Sequence, residues 1–195
     1  MPAFDIERQG SVPEYFNYLK WAAASLAALW LFARNRQTLY FAWSVLFLYC
    51  LVDDAESLRM IIGARIVGGM NWGPAFALSA QELGELAAAG IAGVILLGLL
   101  ALAFFRNTDE GAAAFSRTLL PWLAALIFFG VFIDMVHAMA ARLPTLSFWL
   151  GVVEESGEMI AASVLTAIVA LYAFPATRGA QLRTAERLEA VEPAE

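Results

Sequence analysis

The chain is short of the residues that usually cross-link or catalyse. It holds one cysteine, Cys50, in 195 residues, which excludes an internal disulfide framework and a cysteine-rich metal site. It holds one histidine, His137, which excludes a multi-histidine site within one chain. Charge is scarce: 15% of residues are charged, against about a quarter in a soluble domain. The net charge of −6 does not suit nucleic acid, which calls for a basic surface. The N-terminal MPAFDIERQG lacks a basic segment followed by a short apolar core, so no cleavable signal peptide is expected. No nucleotide-binding loop, nucleophile elbow or haem-attachment motif is present.

What the chain does have is apolar length. Hydrophobic residues make up 61% of it, and Leu86 to Phe105 runs twenty residues without a charge or a strongly polar group. That matches the roughly 20 residues a helix needs to cross about 30 Å of hydrocarbon. The expected class is an all-α integral membrane protein. Five transmembrane helices are expected, over 15–33, 38–66, 79–105, 117–143 and 145–174, between a short N-terminal tail (1–14) and a C-terminal cytoplasmic tail (175–195). Ser79-Ala80-Gln81-Glu82 fits a capping box at the third. Pro121 falls in the expected first turn of the fourth, where proline is tolerated. Lys20, near one end of the first, can snorkel to the interface. Trp43, Trp72, Trp122 and Trp149 read as interfacial anchors.

Seven basic residues (Arg34, Arg36, Arg106, Arg117, Arg178, Arg183 and Arg187) fall on one side of the membrane, and four (Arg8, Lys20, Arg65 and Arg142) on the other. The positive-inside rule then places the N-terminus outside and the C-terminus in the cytoplasm, as in a bacterial inner-membrane protein. The bilayer is the expected partner. Leu182, Leu188 and Val191 give the tail a near-helical apolar spacing, through which a membrane protein or a membrane surface can dock.

The unexpected feature is acid inside the apolar segments. "VVEESGEMIAASV", Val152 to Val164, carries Glu154, Glu155 and Glu158. Helix two carries Asp53, Asp54 and Glu56, helix three Glu82 and Glu85, and helix four Asp134 with His137. Four pairs have i, i+3 spacing, Asp53/Glu56, Glu82/Glu85, Asp134/His137 and Glu155/Glu158, which puts both members on one helix face. Counted from the inner ends at about 1.5 Å per residue, these side chains fall at depths of about 22 to 30 Å, in one slab of the outer half. Helix one is expected to contribute nothing to it. "ELGELAAAG" and "ESGEMIAAS" share E-x-G-E. Helices two and three and helices four and five therefore read as repeated hairpins forming a pseudo-twofold four-helix bundle, its axis along the membrane normal. Gly84 and Gly157 suit close helix approach.

Nine carboxylates face one clear cation on these helices, Arg59. Charge in hydrocarbon costs at least a few kcal/mol per group, so the layer needs protons, Arg59 or a metal. Carboxylates with a single imidazole suit hard or borderline ions, with Fe or Mn favoured. Four-helix bundles with acid-x-x-His motifs hold dinuclear sites. The candidate ligands are Asp53, Glu56, Glu82, Glu85, Asp134, His137, Glu155 and Glu158, with Asp54, Arg59 and Glu154 behind them. Glu85 and Glu158 are the candidate bridges. "EESGE" resembles the E-x-x-E iron motif in the membrane helices of high-affinity iron permeases. That motif usually has an arginine before its first glutamate, whereas Val153 and Glu154 precede Glu155 here. The resemblance covers five residues and implies iron handling at Glu155 and Glu158. The expected function is divalent-metal binding, oxidase-like or metal-handling. The alternatives are an accessory subunit of a larger membrane complex and a proton or cation transporter using the same acids.

Overall fold

The computed structural model describes residues 12–75 and 77–174. The tail expected to dock on a partner lies outside them. The described residues are helical, with no strand beyond an isolated bridge between Ala75 and Leu78. In chain order the helices are α1 (Val12–Asn35), α2 (Thr38–Glu56), α3 (Leu58–Met70), α4 (Ala80–Phe105), α5 (Glu110–Ile127), α6 (Asp134–Met139) and α7 (Pro144–Ala173), with a π-helical segment, Phe128–Ile133, between α5 and α6. Among the described residues four helical stretches are long and apolar enough to cross a membrane: Thr38–Glu56, Ala80–Phe105, Glu110–Met139 and Pro144–Ala173. Helix α1 is not among these four.

The stretch expected as one helix over 38–66 is divided at Ser57, which adopts the left-handed region (φ 50°). The local cause is charge. Carboxylates are unfavourable at a helix C-terminus and favourable at an N-terminus, and the α2 end carries Asp53, Asp54 and Glu56. By breaking, the chain lets the Asp53 carboxylate accept the Arg59 N–H (2.9 Å) in the first turn of α3, where the N-cap Ser57 supplies no side-chain bond. Downstream, Asp109 caps α5 by accepting the Ala112 N–H, so that helix begins earlier than the expected 117. Pro121 is therefore inside α5 rather than in its first turn. The capping box at Ser79 and Glu82 forms in full at the start of α4.

The core lies between α1, α2, α5 and α7. Leu39, Trp43, Phe47, Phe115, Leu119, Leu165 and Val169 are fully enclosed there. Trp43, expected at an interface, is completely buried, and its indole N–H donates to Ser116 Oγ at 2.6 Å. Helices α1 and α2 are joined by reciprocal bonds: Ser25 Oγ donates to the Ser44 carbonyl and Ser44 Oγ to the Ser25 carbonyl, each 3.0 Å. Small polar residues are what lets two helices approach and bond in an apolar medium. Lys20 does not snorkel. Its side chain is buried between α1 and α7, where Nζ donates to the Met159 carbonyl and Ser163 Oγ, each at 3.2 Å.

Glycine sets the closest helix approaches. A Cβ at Gly63 would meet Glu85 N at 2.6 Å and Gly84 C at 2.7 Å, so α3 crosses α4 backbone to backbone. Gly157 of α7 lies against the Phe129 ring, and Gly130 of the π segment against the Glu158 carboxylate. The expected close-approach role of Gly84 and Gly157 is what these contacts display. The two E-x-G-E stretches nevertheless stand at different places: Glu82 is in the first turn of α4, while Glu155 is well inside α7.

Candidate functional site

The acidic side chains divide among several partners. Asp53 is buried and paired with Arg59 (Oδ2 to Nε, 2.6 Å). The Arg59 guanidinium also donates to the Gly130 carbonyl (3.2 Å), which ties the α2–α3 break to the π segment. Asp54 points the other way, accepting from Trp21 Nε1 (2.8 Å) and Asn17 Nδ2 (3.1 Å). Helix α1, expected to contribute nothing, thus supplies the donors that hold Asp54. The signal was in its sequence as Asn17, Tyr18 and Trp21, a polar edge on an apolar helix, but a search for acids passes over it. Glu56 is exposed. Glu82 is engaged in the capping box, and Glu85 accepts from Gln81 Nε2 at 2.8 Å. Asp134 is exposed in the isolated chain, while Glu155 and Glu158 are half-buried on α7.

His137 is held at both ring nitrogens. Nδ1 lies 2.8 Å from Glu154 Oε2, and Nε2 lies 3.0 Å from Ser147 Oγ. Glu154, expected behind the ligand set, is therefore the direct partner of the histidine. Ser147 was not among the expected site residues. Its seven-residue spacing from Glu154 puts both on one face of α7, the signal by which it can be found.

Two cavities adjoin at this level. One, of about 360 Å³, is lined by Glu82 and Glu85 of α4, by Asp134 and His137 of α6, and by Arg59. It brings together four of the expected ligands. The second, of about 390 Å³, is mainly apolar and lies between α2, α4 and α5, with Gly93, Leu97 and Leu123 among its lining. Arg59, Leu86, Ala89, Gly130 and Val131 line both. Asn17 Oδ1, on the second cavity's wall, is buried with no hydrogen-bond partner. Among the described residues no group of three or more His, Cys, Asp or Glu side chains converges as a metal cage.

The chain matches no family model, and comparison with curated proteins and with solved structures finds no match either.

Proposed function

We propose that the protein is a five-helix membrane protein that binds a small amphipathic molecule, its polar end among the acids and its apolar body in the cavity below. The observation that carries this reading is the adjoining pair of cavities that share a wall of Arg59, Leu86, Ala89, Gly130 and Val131. Binding sites for small molecules are typically mostly apolar concavities with a few convergent polar groups. Glu82, Glu85 and Asp134 at the upper mouth, with Arg59 already committed to Asp53, favour a cationic or hydrogen-bond-donating head. Asn17 Oδ1 offers an acceptor on the wall of the second cavity.

Helix α1 is taken as the fifth span. At 24 residues it reaches about 36 Å at the helical rise. Lys20, its one interior charge, is turned inward to a carbonyl and a hydroxyl rather than to lipid. The N-terminus is taken as outside and the C-terminus as cytoplasmic, from the basic residues of the loops. The repeat relation is kept in this reading because both E-x-G-E stretches meet the preceding helical segment through glycine, Gly84 at Gly63 and Gly157 at Phe129.

The test is direct binding to the full chain in lipid nanodiscs. A fluorescent alkylammonium is compared with an alkylsulfonate of the same chain length. Saturable binding of the cation, weakened by Glu85→Gln/Asp134→Asn and abolished by the cavity-filling Gly93→Leu, supports the reading. Binding that ignores head-group charge and Gly93→Leu equally sinks it.

A further inference from the structure

Ser147, His137 and Glu154 are arranged in a sequence that a helix clamp alone does not require. Pro144 opens α7, placing Ser147 in its first turns and Glu154 two turns further along the same face. Across the turn that joins α6 to α7, His137 spans the two, Nδ1 to the carboxylate at 2.8 Å and Nε2 to the hydroxyl at 3.0 Å. In its ionised form Glu154 can only accept, which places the proton on Nδ1 and leaves the Nε2 lone pair facing the Ser147 O–H. That is the tautomer a general base needs. The histidine and serine are half-buried rather than sealed. His137 also lines the acid-walled cavity, so the imidazole that bonds Ser147 is at the edge of a space that can hold a substrate.

We propose that Ser147, His137 and Glu154 form a hydrolytic triad at the outer end of the bundle, acting on a carboxylic ester with an apolar body. Ser147 Oγ attacks the acyl carbon while its proton passes to His137 Nε2. The carbon–oxygen bond to the leaving group breaks, and the alkoxide departs as an alcohol with that proton. Water then attacks the acyl-serine, giving a proton to Nε2. The acid is released, and Ser147 recovers its proton from His137. The sum is ester plus water to alcohol plus acid, with no change of oxidation state. Glu154 is a positioning residue throughout, holding the imidazole and its tautomer. The nucleophile stands on the geometry of these three side chains. The substrate's apolar body rests on the cavity reading above.

The experiment treats the full chain in detergent micelles with ethyl and dodecyl fluorophosphonates and locates adducts by peptide mass spectrometry. The expected result is an adduct at Ser147, faster with the dodecyl probe, and slowed about 100-fold or more by His137→Gln and by Glu154→Gln. Turnover of a medium-chain p-nitrophenyl ester is expected to vanish in Ser147→Ala, with unchanged elution on size exclusion. Absence of any wild-type adduct, while a known serine hydrolase reacts fully in the same micelles, overturns the triad whatever the variants do. Labelling at Ser147 that His137→Gln leaves unchanged also overturns it. Ethyl labelling that depends on His137, without a dodecyl preference and without an effect of Gly93→Leu, upholds the triad and overturns the cavity as its substrate site.

Discussion

Asp53 holds Arg59 twice: Oδ1 accepts the Arg59 backbone N–H at 2.9 Å, and Oδ2 pairs with its guanidinium Nε at 2.6 Å. The two residues lie on opposite sides of the left-handed Ser57, so one carboxylate both starts α3 and neutralises its first charge. The guanidinium then reaches the Gly130 carbonyl. A break in one membrane helix and a π segment in another are thereby joined at the boundary between the two cavities.

Removing the carboxylate should therefore be costly. Asp53 is the buried member of the pair, at 8% side-chain exposure against 36% for Arg59. Asp53→Ala leaves a backbone donor and a guanidinium unmatched, and is expected to destabilise by about 2–4 kcal/mol. Arg59→Met strands the buried Asp53 carboxylate without its cation and should cost a comparable amount. Unfolding of both singles and the double in mixed micelles checks this. The double should be less unstable than the sum of the singles, and strict additivity would exclude the coupling.

The α3–α4 crossing supplies a steric prediction. Gly63→Ala drives a methyl into the backbone of Gly84 and Glu85, and Gly84→Ala drives one into the Gly63 carbonyl at 2.5 Å. Overpacking of this kind costs about 1–3 kcal/mol. Gly68→Ala and Gly69→Ala meet nothing within 4 Å, and should match or slightly exceed wild type, because alanine is the better helix former. Thermal unfolding of the four variants in one detergent gives the comparison. Equal midpoints for all four would contradict the backbone-to-backbone contact.

What could be read from residues alone follows from the range of each signal. The membrane class, the Ser79–Glu82 box and the glycine approaches depend on local pattern, and local pattern is visible in a linear chain. The break at Ser57 depends on whether a carboxylate finds a donor six residues on, and the hydrophobic periodicity of 38–66 hides it. Trp43 reads as an interfacial residue until its Ser116 partner, 73 residues away, is known. The acids were legible as a set, but their allocation was not. Spacing says which face a carboxylate occupies, not whether Gln81, Arg59, Trp21 or His137 reaches it first. Ser147 escaped notice because hydroxyls are common in membrane helices and only a histidine from another helix gives this one a role.

The Trp43–Ser116 bond offers a cleaner energetic test, since both groups are neutral and buried. Ser116→Ala leaves the indole N–H without its acceptor in the driest part of the core, and an unsatisfied buried donor costs about 1–3 kcal/mol. Trp43→Phe removes the donor but leaves a void, so it is also destabilising. Adding Ser116→Ala to Trp43→Phe should then cost little more. A double-mutant cycle by chemical unfolding measures the difference, and a coupling near zero would rule the bond out as a contributor.

The last prediction separates the metal reading from the ligand reading. Metal requires lone pairs that converge, and four of the carboxylates already accept a bond: Asp53 from Arg59, Glu82 from the Ser79 cap, Glu85 from Gln81, Glu154 from His137. Both nitrogens of His137 are engaged as well. A bound iron or manganese that used these four acids would compete with bonds each worth about 0.5–3 kcal/mol. Elemental analysis of protein purified without chelator is expected to give well under one equivalent of iron or manganese, unchanged in Glu85→Ala/Glu158→Ala. A full equivalent that disappears in that variant would return the site to metal chemistry. The His137 contacts would then be those of the empty state, and the triad's serine should lose its reactivity when metal is added back.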